Sequence, residues 1–261
     1  MILVLLFYLF VLLFAVFLIT LLIVGFFLLY RVKKTKLYNL ITIGIAFILI
    51  PIGFIGNFLL RLGIIFENMF VSTGFILTVI FTNQTFHKKK KKTKNLVLCL
   101  IIVLAIFFSY LDIFYPKTDG IFFYLRRIID IIFTFLTFGW MGWSSYDAYC
   151  KIKKSDIQPW IKSRYKIIAF VSFILSPHAI PSVFVPPNVS FTDFSNIMVL
   201  IAYIIIAILS VIFSIGFCIA WIMPIKLKKY FNRNYLPYED KEIPEDELMK
   251  LIKIQLIGGR E

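Results

Sequence analysis

Four clusters of basic residues fall in every second gap between seven long apolar stretches, and this alternation constrains the chain more than any other feature. The stretches read as helices at about 3–30, 39–62, 66–86, 95–115, 121–148, 163–184 and 194–224. A spanning helix needs about 20 apolar residues. Backbone groups in lipid find no water to pair with, so each span has to be helical. Arg31, Lys33, Lys34 and Lys36 fill the first gap, and Lys88 to Lys92 with Lys94 fill the third. Lys151, Lys153, Lys154, Lys162, Arg164 and Lys166 fill the fifth, and Lys226, Lys228, Lys229 and Arg233 follow the last stretch. The opposite loops hold only Lys117. Basic residues flanking spans stay on the cytosolic side. The expectation is therefore an all-α, polytopic membrane protein, a seven-transmembrane-helix bundle with its N-terminus outside and its C-terminus in the cytosol.

Composition agrees with the bilayer as solvent. The chain is 61% hydrophobic and 16% charged, against about half and about a quarter in soluble domains. The net charge of +14 is then mostly topology. A lysine run beside a span is expected to meet anionic lipid headgroups on the cytosolic face rather than nucleic acid. No basic residue precedes Arg31, and the apolar run from Met1 to Tyr30 is too long for the core of a signal peptide. The first stretch is thus expected to remain as a span, in the cell (plasma) membrane. Residues 1–234 form the transmembrane domain, and 235–261 form an acidic cytosolic tail. In the tail, Pro244 and the acids after it read as a helix start, and Gly258 and Gly259 as its stop. This amphipathic helix over 244–257 is expected to lie on the membrane surface or to dock a cytosolic protein.

Ionisable residues inside spans are costly and mark functional sites. Here they gather toward the outer end. Arg126 and Arg127 stand four and three residues before Asp130, so either can pair with it on one helix face. At about 1.5 Å per residue, Asp130 lies roughly 14 Å below the outer surface, too deep for so short a side chain to snorkel. Arg61, Glu67 and Asp112 are near enough to the interface to do so. The candidate ligand-binding residues are Asp130, Arg126, Arg127, His178, Asn57, Arg61 and Asn68. The alternative for the first three is a purely structural ion pair. Pro51, Pro177 and Pro181 are candidate hinges, because each removes a helix hydrogen bond. Trp140, Trp143, Ser144, Ser145, Tyr146 and Asp147 read as an interfacial belt. The sequon Asn188-Val189-Ser190 is expected outside.

Catalytic inventory is thin. His178 is the sole histidine in a span, and no Gly-x-Ser-x-Gly, phosphate loop or His-Glu-x-x-His is present. No enzyme activity, metal, cofactor or structural disulfide is expected. A faint internal repeat matches Phe47-Ile48-Leu49-Ile50-Pro51 with Phe173-Ile174-Leu175-Ser176-Pro177, and Asn68 with Asn196. That layout, three helices, one left over, then three, is similar to the architecture of seven-helix sugar porters and of opsins. The porters' Pro-Gln signature is absent, and Phe194 to Pro224 has no lysine for a retinal Schiff base. The expected function is receptor-like or sensor-like, with an outward cavity for a small ligand lined by helices 2, 3, 5, 6 and 7. The alternatives are a small-solute transporter and a structural subunit of a membrane complex. A receptor needs an outer pocket above a packed inner half. A transporter needs polar residues through both halves, and a subunit needs its charges on the bundle surface.

Overall fold

The computed structural model describes residues 2–87, 91–115, 120–155, 157–187 and 196–233. Asn188 and the tail helix expected at 244–257, with any partner it docks, lie outside the described residues. The helices are α1 (Ile2–Thr35), α2 (Asn39–Phe58), α3 (Ile64–Phe86), α4 (Lys91–Phe114), α5 (Gly120–Ile152), α6 (Pro159–Leu175), α7 (Ile197–Ile222) and α8 (Ile225–Asn232). A short 3-10 segment, Ile180–Phe184, follows α6.

The helices close into a ring. Successive neighbours are α1, α2, α3, α5, α6 and α7, with α7 packed back on α1, and α4 sits outside in the groove between α3 and α5. Side-chain hydrogen bonds set the directions. Asn39 at the start of α2 donates to Thr85 at the end of α3 (2.9 Å). Asn83 near the end of α3 donates to the Lys94 carbonyl at the start of α4 (3.0 Å). Arg31 near the end of α1 donates to the Trp221 carbonyl near the end of α7 (3.2 Å). Helices therefore run up and down, and the described basic clusters share one end of the bundle.

Close approach of α1 and α2 depends on two glycines. A Cβ on Gly25 would lie 3.0 Å from the Gly44 carbonyl oxygen and 2.8 Å from the Ile48 side chain. Small residues let helices meet where lipid supplies no hydrophobic driving force between them.

The outward surface is that of an integral membrane protein. On α7, Ile201, Ile205, Ile208, Ile212, Ile215 and Ile219 are exposed at steps of four and three, while Ser210, Phe213, Phe217 and Ala220 on the other face are buried. Water would not tolerate so large an apolar stripe, whereas lipid does. Six helical segments are long and apolar enough to cross a membrane, but α5 is not among them. The expected seventh span is the one that carries Arg126, Arg127 and Asp130 at one end and Ser144, Ser145 and Asp147 at the other.

Two boundaries depart from expectation. The second helix was expected to reach residue 62 but stops at Phe58. Arg61 and Gly63 then take positive φ values of 55° and 88° in a tight turn, so Arg61 sits in a loop rather than on a helix. The sixth was expected to run to 184 but ends at Leu175. Pro177 and Pro181 have no N–H, and the following backbone bonds are shorter-range ones, His178 to Leu175 and Ser182 to Ala179. Pro51, its counterpart in the expected repeat, is buried inside α2, which continues through it. Asn196 caps α7 by accepting from Met198 N at 3.0 Å, whereas Asn68 donates to Asp112 on α4.

Candidate functional site

A cavity of about 740 Å³ occupies the half of the ring away from the lysines. That lies within the range of small-molecule sites. Asn57, Arg61, Asn68, Arg126, Arg127, Asp130 and His178 all line it. Residues from a loop, α2, α3, α5 and the segment after α6 thus converge on one space. Pro51 does not line it, nor do Pro177 and Pro181, which flank His178 in the turn below the rim.

The expected pairing of Asp130 with its own helix neighbours is corrected. Arg126 Nε lies 2.7 Å from Asp112 Oδ1 on α4, with the two side chains 16% and 1% exposed. Asn68 on α3 donates to the other Asp112 oxygen, and Asn57 on α2 donates to Glu67 on α3. Glu67 and Asp112 therefore do not snorkel; they tie four helices together across the cavity rim. The physical reason is helix adjacency. In the groove between α3 and α5, α4 brings Asp112 to Arg126 more closely than one helical turn brings Asp130. Asp130 itself is half-buried, and among the described residues it makes no ion pair within 4 Å. Arg127 likewise has none; its guanidinium lies 5.0 Å from the centre of the Phe123 ring.

The other walls are phenylalanine. Phe14 and Phe17 of α1 face Phe54 and Phe58 of α2, and Phe10 meets Tyr203 of α7. Helix 1 was not expected to line the cavity. Its spacing could have revealed it, since residues 10, 14, 17 and 21 fall on one face at steps of four, three and four, and all four line the space. The floor is Phe75, Phe138 and Phe213, with ring centres 5.2 Å apart in both the 75–138 and 138–213 pairs.

Below the floor the bundle is filled. Phe47, Phe217 and Trp221 continue the aromatic stack. A void of about 20 Å³ lies beside Arg164 and Trp221, room for roughly one water. At the bottom lies an arrangement that reading the chain for charge did not reveal. Pro224 stands four residues after Ala220 and has no N–H, so the Ala220 carbonyl cannot receive its helical bond. Arg164 Nε supplies the donor instead, at 2.9 Å. Arg31 serves the Trp221 carbonyl. Two cations thus cap the negative end of α7. Arg164 is only 2% exposed and also lies over the Trp160 and Trp221 rings at 4.7 and 5.4 Å. These arginines were expected only as cytosolic loop charges. The signal that could have found them is Pro224 itself.

The expected aromatic belt is split. Trp143 and Tyr146 are exposed. Trp140 turns inward, donates to Asn83 at 3.0 Å and stacks on His87 at 4.6 Å. His87 is 2.7 Å from Ser144 Oγ. This polar set joins α3 to α5 in the lysine-rich half. Among the described residues no three His, Cys, Asp or Glu side chains cluster as a metal site requires. Compared with family models, curated proteins and solved structures, the chain matches none.

Proposed function

We propose that the protein is a membrane receptor or sensor, not an enzyme, that takes a small ligand into the cavity from outside and reports at its lysine-rich cytosolic face. In this reading α5 is the seventh span, shielded from lipid on its charged face by α4 and the ring. The single observation that carries it is asymmetry. A 740 Å³ polar-rimmed cavity fills one half, while packed aromatics and the arginine-capped end of α7 fill the other. The charges line the interior instead of the bundle surface, which argues against a subunit that meets another chain through them. Ligand contact at His178 would bear on the proline-interrupted segment after α6, a place where few helical bonds resist movement. Anionic headgroups would surround the lysine-rich end.

The transporter reading keeps one observation, the polar set of Asn83, His87, Trp140 and Ser144 beneath the floor. Accessibility separates the two. In a chain with Cys99, Cys150 and Cys218 replaced by alanine, Ser210→Cys lines the cavity. A membrane-impermeant thiol reagent should modify it from outside only. Modification from the cytosolic side as well would replace the receptor by the transporter.

Topology has its own test. Reporters fused after Lys36, Lys94, Lys154 and Arg233 should all be cytosolic, and those at Lys117 and Asn188 outside. With six spans the two termini would fall on the same side, so the reporter after Arg233 decides between six and seven.

A further inference from the structure

The ligand's chemistry can be read from what the cavity leaves unmatched, on the premise that the cavity is the ligand site. Of the acids and bases around the cavity, Arg61 is exposed, Asp112 pairs with Arg126 and accepts from Asn68, and Glu67 accepts from Asn57. Asp130 and Arg127 are not matched by ion pairs among the described residues. They stand three residues apart on one face of α5, with Arg127 toward the rim and Asp130 toward the floor. Both line the cavity. Directly below them are the rings of Phe75, Phe133 and Phe138. A buried charge is tolerable only when compensated. Arg127 and Asp130 act on each other through space without touching, so a guest that is neutral overall but carries both signs can meet each of them directly and leave the balance of charge unchanged.

We infer that the cavity binds a zwitterion with an apolar body: its anionic group meets Arg127, its cationic group meets Asp130, and its apolar part rests on the phenylalanine floor. A net cation would leave Arg127 uncompensated, and a net anion would leave Asp130 so. Two sources share this chemistry, a free amino-acid-like solute and the headgroup of a zwitterionic lipid.

The test uses the full chain, purified in a non-ionic detergent, and compares binding by calorimetry of three solutes with one aromatic body. L-phenylalanine carries both charges, phenethylamine only the positive one and 3-phenylpropionate only the negative one. A fourth probe, lysophosphatidylcholine below its micellar concentration, represents the lipid source. At least one of the two zwitterions should bind about tenfold more tightly than both singly charged solutes, the worth of one charge-assisted hydrogen bond. Preference for L-phenylalanine identifies a free solute, and preference for the lysolipid identifies a headgroup. Asp130→Asn should abolish the advantage over 3-phenylpropionate, and Arg127→Gln the advantage over phenethylamine. Asp130→Asn keeps the side chain's shape, Arg127→Gln shortens it while leaving it polar, and the thermal midpoint of each unliganded variant verifies folding. Equal binding of all heads, tighter binding of a singly charged solute, or no binding of either zwitterion overturns the assignment. The accessibility of Ser210→Cys would then stand or fall separately, so a wrong ligand class is distinguishable from a wrong site.

Discussion

Asp112→Ala will destabilise the protein far more than Asp130→Ala. Asp112 is the hub of the rim network, with its side chain 1% exposed, 2.7 Å from Arg126 and accepting from Asn68. Without it, Arg126, itself 16% exposed, becomes a buried cation with its nearest counter-charge gone. Breaking a buried pair from one side costs about 3–5 kcal/mol in soluble proteins, a fall in melting temperature on the order of 10 °C. Asp130 is half-buried and makes no contact ion pair among the described residues, so its removal strands no touching partner and should cost about 1 kcal/mol, the ordinary loss for a single substitution. The double variant Asp112→Leu with Arg126→Met should recover most of the loss, because it removes both charges together. Thermal unfolding in detergent of the four proteins measures this. Equal losses for Asp112→Ala and Asp130→Ala would mean that the α4–α5 pair carries no special weight.

At the other end of the molecule, Arg164→Met should cost about 3 kcal/mol. The substitution keeps an unbranched apolar stem, and it removes the guanidinium and with it the donor to the Ala220 carbonyl. An orphaned buried acceptor costs about 1–3 kcal/mol, and a desolvated cation–π contact contributes about 2 kcal/mol. Relief from burying the guanidinium returns part of this. A second substitution exposes the cause. Pro224→Ala restores an N–H four residues after Ala220 and lets α7 run on past its left-handed end at Met223, where φ is 36°. In that background Arg164→Met should cost appreciably less. A double-mutant cycle on the melting temperature reads the coupling, and strict additivity would show that Arg164 does not act through the end of α7.

How much of this was legible beforehand follows from the range of each force. Helix existence is a local matter, set by apolar length and by the demand that lipid places on every backbone group. The ends were less legible where turn chemistry intervened. Nothing in Leu59-Leu60-Arg61-Leu62 is a breaker, so the local pattern carries the helix through Arg61, yet Gly63 permits the turn that ends α2 early. Spacing alone presents the prolines after Leu175 as hinges within a helix, whereas the loss of two donors in five residues ends the helix. Asp130, Arg126 and Arg127 were singled out by depth, which is a local count of residues from the span's end. Their pairing was misread because a same-helix partner is the only partner that spacing can display.

Local pattern along the chain is enough to make it a helical membrane protein, to put its described basic clusters at one end, and to name the polar residues that have to be housed near the other. Each of these rests on patterns within a stretch of some twenty residues and on a solvent that enforces them. Tertiary structure alone decided that α4 stands outside the ring, that Asp112 takes Arg126, that α1 supplies an aromatic wall, and that Arg31 and Arg164 close the end of α7. Those outcomes depend on which helices become neighbours. The Arg31–Trp221 bond joins residues 190 positions apart, and no periodicity along one chain segment carries information about the segment that will pack beside it.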